Sequence, residues 1–386
     1  MTGQNHFTLP EIVKLFNEYL ESITPYFAFA QLQRSKVGLG QKINFYWNNN
    51  NFPYFSFLNQ LFISGVVKYR NALIAGYSYL TGTISGKPVI RGMPPAVSME
   101  LTNHCNLRCP ECPSGSGSLT RERGFMEIDL FRRALNELDP YLFYLNLWFQ
   151  GEPMLHPDFF SFLEIRCKCR KVASTNGHFL TEDNAVKLVM SDLSKLIISL
   201  DGMDQTSYEA YRRGGELDRV MKGIRNISEA RKRNNSSLKI EIQFLVNRKN
   251  EHQIPDVRKF AGEVQASLKL KSMQVINNAG MAEWMPDDKK FRRYEKVNGT
   301  WKINNPWPRR CARLWFNPVI TWDGKVVPCC FDKNADHILG DLKTQSFREI
   351  WNGHEYHEFR QKLLSSRAAI EICRNCTSGL KKEIQC

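Results

Sequence analysis

The sequence predicts an α/β protein: an open, curved barrel of six strand–helix repeats around a parallel sheet, with a helical segment before it and a small cysteine-rich domain after it. Three observations carry this. From Ala96 onward, short apolar runs alternate with amphipathic helical stretches, the pattern of a parallel sheet covered by helices. The first 95 residues lack that alternation and hold 17 Phe, Tyr or Trp. From Pro306 the chain becomes dense in Cys and Trp, as a small metal-stabilised domain would be. The expected divisions are therefore residues 1–95, 96–305 and 306–386.

Residues 1–95 read as two or three helices covering one face of the barrel. Glu11, Glu18 and Glu21 are their only acids, and four Asn at 48–51 mark a loop. The segment ends at a linker containing Gly86, Pro88, Pro94 and Pro95. Residues 55–80 are apolar, but Lys68, Tyr69 and Arg70 interrupt them, so they do not read as a membrane span. Peripheral contact with a membrane surface is open to such a helix; packing on the protein's own core is the simpler expectation. Beyond the linker, strands are expected at 96–101, 142–149, 171–174, 195–200, 238–246 and 272–276. Helices are expected between them at 128–138, 158–167, 182–190, 217–233 and 254–265. Six repeats are too few to close an eight-fold barrel but fit an open one, and in both designs ligands gather at the carboxyl ends of the strands.

The chain has 386 residues and a net charge of +14. That excess points either to an acidic partner (nucleic acid, anionic membrane or phosphorylated substrate) or to a solvated basic surface. No run of five Lys/Arg and no nucleic-acid-binding module is visible, which disfavours nucleic acid. The eleven cysteines are odd in number and unevenly spaced, and residues 1–10 lack a signal-peptide pattern. A cytoplasmic setting with reduced thiols is the natural expectation, and there clustered cysteines mean metal or catalysis.

The first cluster of cysteines comes directly after the first strand: Thr102-Asn103-His104-Cys105-Asn106-Leu107-Arg108-Cys109-Pro110-Glu111-Cys112. Three thiolates in C-x3-C-x2-C spacing can wrap one face of an iron–sulfur cubane and leave the fourth iron open. Structural zinc would want a fourth ligand, for which His104 is available. With its place after the first strand, this loop resembles that of the radical S-adenosylmethionine (SAM) superfamily, whose core is a partial (βα)6, TIM-like barrel. The resemblance implies that Cys105, Cys109 and Cys112 hold a [4Fe–4S] cluster and that SAM chelates the open iron. An electron from a flavodoxin- or ferredoxin-type reductant would then cleave SAM to a 5′-deoxyadenosyl radical. It further implies SAM contacts at Gly151 and Glu152 after the second strand, and at Ser174 and Asn176 after the third. Ser199 or Asp201 would line the pocket, and Arg212 would pair its fork with the SAM carboxylate. Asn247 and Asn277 are weaker candidates. Two positions depart from the family pattern: Gln150 stands where a Gly is usual, and Glu111 where an aromatic residue often packs on adenine.

The second cluster of cysteines is Cys311, Cys329 and the pair Cys373 and Cys376. Four thiolates from three segments close a tetrahedral site for zinc or for [4Fe–4S] by spacing alone. The region resembles the SPASM/twitch extension of radical SAM proteins through Trp315-Phe316, Trp322-Asp323-Gly324-Lys325, Pro328-Cys329-Cys330, Leu339-Gly340-Asp341-Leu342, Glu349-Ile350-Trp351 and the final C-x2-C. The likeness spans about residues 94–379. It implies one auxiliary [4Fe–4S] cluster ligated wholly by protein. Cys330 is an alternative to Cys329, which the spacing favours. Cys386 reads as a free terminal thiol. Cys167 and Cys169, placed in the second crossover helix, read as structural.

A fully ligated auxiliary cluster suits an electron acceptor. The expected activity is a two-electron oxidation of a small molecule: a sugar, an aminocyclitol or an anionic, lipid-linked substrate. The base is not assigned; Asp332 is a candidate, expected as an exposed turn residue. The alternatives are a ribosomal-peptide maturase, an RNA-modifying enzyme and, in a different class, a non-catalytic metal-stabilised binding protein.

Overall fold

A computed structural model describes residues 52–276, 280–303 and 305–376, with side chains from residue 65 onward. The loop expected at 48–51, Asn277 and Cys386 lie outside the described residues.

Six parallel strands form the centre in sequential order: β1 (Ala96–Met99), β2 (Tyr144–Asn146), β3 (Arg170–Thr175), β4 (Leu193–Ser199), β5 (Lys239–Val246) and β6 (Ser267–Ser272). A separate hairpin, β7 (Tyr294–Val297) and β8 (Thr300–Ile303), comes next. Then β9 (Val319–Ile320), β10 (Lys325–Val327) and β11 (Gly340–Asp341) continue the main sheet past β1. β9 pairs with β1 in parallel, Ser98 opposite Val319, and β10 and β11 turn back antiparallel. The cysteine-rich region is thus fused to the barrel by backbone hydrogen bonds along the open edge at β1.

Helices α1 (Phe52–Ser85), α2 (Ile128–Leu138), α3 (Phe159–Glu164), α4 (Glu182–Met190), α5 (Gln205–Tyr211), α6 (Leu217–Arg233), α7 (Ile254–Glu263), α8 (Phe347–Asn352) and α9 (His354–Ser366) surround the sheet. Their apolar stripes explain where they lie. In α6, Leu217, Val220, Ile224 and Ile227 recur at helical spacing and are all buried. They meet the alternate residues of the strands that point outward, such as Leu196, Ile198, Ile240, Ile242 and Phe244. Each such side chain contributes about 1.5–3 kcal/mol when taken from water. The opposite, inner face of the same strands is different. Ala96, Tyr144, Val172 and Ile197 form a small apolar group there. Around them sit Ser98, Asn146, Ser174, Ser199, Glu241, Gln243, Lys195, Lys269 and Lys271, which the registers place on that side. A strand buried on both faces would be apolar throughout; this face is built for polar contents.

Three local expectations change. The spacing predicts the sixth strand at 272–276, but β6 lies five residues earlier. Its alternation of Leu268 and Leu270 with Lys269 and Lys271 makes it a half-buried edge strand, which an apolar-run criterion misses. Residues 273–276 instead cross the strand ends, with Val275 N and O both bonded to Tyr294 Oη at 3.2 Å. The second crossover helix, expected over 158–167, stops at Glu164. Cys167 and Cys169 therefore lie in the turn before β3, where Asp139 Oδ1 accepts the Lys168 and Cys169 amides at 2.7 and 3.1 Å. Finally, Asp332 is wholly buried, not an exposed turn residue: its two oxygens accept the Asp336 and His337 amides at 2.8 and 3.0 Å, leaving it occupied as a staple.

Candidate active site

The C-x3-C-x2-C loop leaves β1 at the carboxyl end and is fixed by its own side chains. Asn103 donates to Glu122 O at 2.7 Å and accepts from Gly124 N at 3.0 Å. Thr102 Oγ1 donates to Gly124 O at 2.7 Å. His104 lays its ring on Phe125, centroids 4.7 Å apart. The turn Pro113–Ser116 closes the loop behind Cys112, and a Cβ on Gly115 would come within 2.5 Å of Cys109 N. Cys109 is buried, and Cys105 and Cys112 are partly exposed. Burial pushes the Cys109 thiol up to about 12, with the neighbouring thiols adding to the shift against the opposing pull of Arg212. Thiols so placed would gain most from binding iron, which displaces their protons to solvent.

The strand ends converge on this loop. Gly151 has φ of 76°, and any Cβ there would meet Thr102 O and His104 O at 2.6 Å; only glycine allows that approach. It delivers the Glu152 amide to His104 O at 2.8 Å. The Glu152 carboxylate accepts the Asn176 amide at 2.6 Å and the Met154 amide at 3.1 Å. Burial raises its pKa to about 7 against the lowering effect of those bonds. Asn176 reaches back to Asn106 in the cysteine loop at 2.8 Å. Asp201 pairs with Arg212 Nε at 2.6 Å and accepts the Leu245 amide at 2.7 Å. Arg212, its charged form favoured by Asp201 and Cys109 against burial, points Nη1 at Cys109 Sγ, 3.9 Å away. Asp201 is thus spent on aiming Arg212. Ser174 and Ser199 lie partly exposed on the inner face, and Asn247, after β5, is buried with its Oδ1 on the Lys249 amide. The two departures from the family pattern have structural roles: Gln150 places Oε1 beside Cys112 Sγ and Ser114 Oγ, and Glu111 accepts the Ile276 amide at 2.6 Å.

Four of the remaining cysteines line one cavity. Cys311, Cys329, Cys373 and Cys376 surround it with Arg313, Phe331 and Arg367. Cys330 is not among its lining residues; its Sγ accepts from Arg313 Nη1 at 3.4 Å. Burial, then the charge of the neighbouring thiols, pushes the Cys329 thiol well up, and burial, then Cys311, pushes Cys373 to about 12. Arg367 is buried against Cys311, Cys373 and Cys376, which favour its charged form. Its Nη1 donates to Arg310 O at 3.1 Å, and its remaining donors are turned toward Cys373. A buried guanidinium against thiols is stabilised when an anion forms there. An all-thiolate iron–sulfur cluster is such an anion, so this donor set fits one.

Composition and spacing do not reveal the joint between the cysteine loop and the C-terminal strands. Glu100, one residue past β1, is fully buried and takes Arg121 bidentately, the Gln150 amide at 3.2 Å and the Trp322 amide at 3.2 Å. Gly124 lets Trp322 lie against the loop, since a Cβ there would meet the indole at 2.4 Å. A lone acid ending a buried strand was the available signal, because buried charge must be paired.

An open three-thiol site at the carboxyl edge of a parallel sheet and a separate cavity lined by four cysteines are donor sets that two iron–sulfur clusters would fit. The family model of the radical SAM superfamily matches residues 99–261, and that of SPASM, an iron–sulfur cluster-binding domain, matches 311–377. The chain belongs to the radical SAM superfamily and carries a SPASM domain; the cofactors implied are SAM, its [4Fe–4S] cluster and an auxiliary [4Fe–4S] cluster. Among curated relatives it is 28% identical to mycofactocin maturase MftC of Mycobacterium tuberculosis over 47% of this chain and 45% of that protein. It therefore aligns with only about half the length of that relative. It is 22% identical to the SAM-dependent 2-deoxy-scyllo-inosamine dehydrogenase of Niallia circulans over 73% of this chain and 92% of that one. The fold matches that of Streptococcus suis SuiB bound to SAM, at a TM-score of 0.56 and 15% identity over 97% of this chain and 89% of SuiB. No helix among the described residues is long and apolar enough to cross a membrane.

Proposed function

We propose that the chain is a radical SAM oxidoreductase that removes two electrons from an anionic small molecule. The observation that carries this is the closed set of Cys311, Cys329, Cys373 and Cys376 around one cavity. With no ligand position left for substrate, that site suits electron transfer. When bound, SAM and the clusters supply reductive cleavage to a 5′-deoxyadenosyl radical, hydrogen abstraction and an acceptor for the second electron. The chain's residues do the rest. Cys105, Cys109 and Cys112 hold the open cluster. Glu152 and Asn176 receive the SAM amino group and ribose beside Ser174 and Ser199, and Arg212, aimed by Asp201, takes the carboxylate. The inner sheet face supports the substrate class. Lys195 pairs with Glu241 at 2.5 Å, Lys271 bonds Gln243 at 3.0 Å, and Lys269 adds positive charge. A sugar, aminocyclitol or lipid head bearing phosphate or carboxylate would be held there by charge-assisted bonds. A cytoplasmic setting and a ferredoxin- or flavodoxin-type donor complete the reading.

Peptide maturation is the second reading, favoured by the 28% match to a maturase; the dehydrogenase match covers more of this chain. The test is 5′-deoxyadenosine formation by anoxically reconstituted protein, with and without anionic small-molecule, lipid and peptide fractions. Stimulation by the anionic small-molecule or lipid fraction supports the proposal. Stimulation by peptide alone replaces it with maturation, and zinc in place of iron without SAM cleavage removes both.

A further inference from the structure

The turn before β3 holds a second kind of sulfur chemistry. Cys167 and Cys169 bring their Sγ atoms to 3.0 Å. Cys167 is partly exposed and Cys169 is buried, so one thiol is reachable and the other stands behind it. The loop is rigid: Asp139 holds the Lys168 and Cys169 amides, and Lys68 of α1 donates to Lys168 O at 2.6 Å. Lys171 donates to Leu163 O from the other side. The two sulfurs share a hydrogen bond that favours a thiolate on Cys167, and Lys171 adds to that. The same hydrogen bond, together with burial, keeps the proton on Cys169. This pair lies at the amino end of β3, six residues and about 20 Å of strand from the carboxyl-end site. No step of the proposed reaction uses it.

Asp139, Cys167 and Cys169 also offer three ligand atoms within 4.8 Å of one another. A cation is opposed there by the Lys68 and Lys171 ammonium groups, and Asp139 Oδ1 already accepts two amides. A reachable thiolate flanked by lysines, with a resolving thiol in contact, is instead the arrangement of a thiol exchange site.

We propose that Cys167 and Cys169 form a redox-active dithiol that exchanges with low-molecular-weight disulfides. Cys167 thiolate attacks one sulfur of the external disulfide, breaking its S–S bond and expelling one thiolate. Cys169 gives up its proton to solvent and attacks the Cys167 sulfur, expelling the second thiolate. The two cysteines lose two electrons and the external disulfide gains them. Because Lys168 lies between the cysteines, ring closure acts on the carbonyl that anchors α1.

The test uses the reconstituted holoenzyme under anoxic conditions, incubated with oxidised glutathione and trapped with N-ethylmaleimide. Chymotryptic peptides and iron content are then measured. The expected peptide spanning residues 167 and 169 is two hydrogens lighter and takes no maleimide, at unchanged iron. Cys169→Ser accumulates a glutathione adduct on Cys167, Cys167→Ser exchanges far more slowly, and Lys68→Met slows exchange several-fold while keeping iron. Maleimide on both cysteines of the wild type, equal reactivity of the two serine variants, or a stoichiometric zinc ion protecting both would overturn the assignment. None of these outcomes depends on SAM cleavage, so the site stands or falls apart from the proposed function.

Discussion

The two cysteine sites reach similar donor chemistry by opposite routes. The first is local: three thiols within eight residues, Cys105 to Cys112, on a loop held by Asn103, Thr102 and Gly151. The second is assembled from three segments as far apart as Cys311 and Cys376, around a cavity that exists only when α9, the Pro328 turn and the terminal C-x2-C come together. A local loop can present an open coordination position to a ligand. An assembled cavity spends every thiol on closure and recruits a buried arginine, Arg367, to face them. The difference teaches that one site is made to bind and the other to be shielded.

The largest expected effect tests the open site. Cys109→Ala should abolish 5′-deoxyadenosine formation under dithionite and remove roughly half the iron, since one [4Fe–4S] cluster loses a ligand while the other keeps four. Full activity would mean the loop is not the SAM site. Next, Cys376→Ala should also cost roughly half the iron, yet leave SAM cleavage running without oxidised product. If product yield survives, the shielded site is not the electron acceptor.

A smaller effect concerns the cluster-free protein. Burial raises the Glu152 pKa from 4.5 to about 7. A folded carboxyl that holds its proton more tightly than the unfolded one stabilises at low pH. That contribution is complete below pH 4.5 and is lost as pH rises toward 7. The loss should be on the order of 3 kcal/mol. Urea midpoints of apo-protein between pH 4.5 and 7 should show this fall, and Glu152→Gln should flatten it; parallel curves for the two proteins would refute the assignment. The smallest effect separates neighbours: Cys330→Ser should leave iron content unchanged, because Cys330 faces Arg313 outside the cavity, whereas loss of the second cluster in that variant would exchange the roles of Cys329 and Cys330.

Much of the barrel was legible because its signals are local. Helices expected at 128–138, 182–190 and 217–233 match α2, α4 and α6 residue for residue, since amphipathic period and flanking breaks lie within each segment. β6 was not, because its Lys–Leu alternation has the look of a surface strand until β5 pairs with it. Cys167 and Cys169 were placed in a helix because nothing nearby in sequence announces Asp139, 28 and 30 residues earlier, as the group that holds their turn.

The sequence by itself carried the strand–helix repeats, the C-x3-C-x2-C loop and the terminal C-x2-C pair, because strand periodicity and those spacings are written in adjacent residues. Tertiary structure alone decided the rest: that β9 to β11 extend the barrel's own sheet, that Glu100 ties the loop residue Arg121 to Trp322 of the C-terminal region, and that Asp201 aims Arg212. Those depend on which distant groups share a dry interior. There a charge must find its partner, and sequence spacing carries no record of who that partner is.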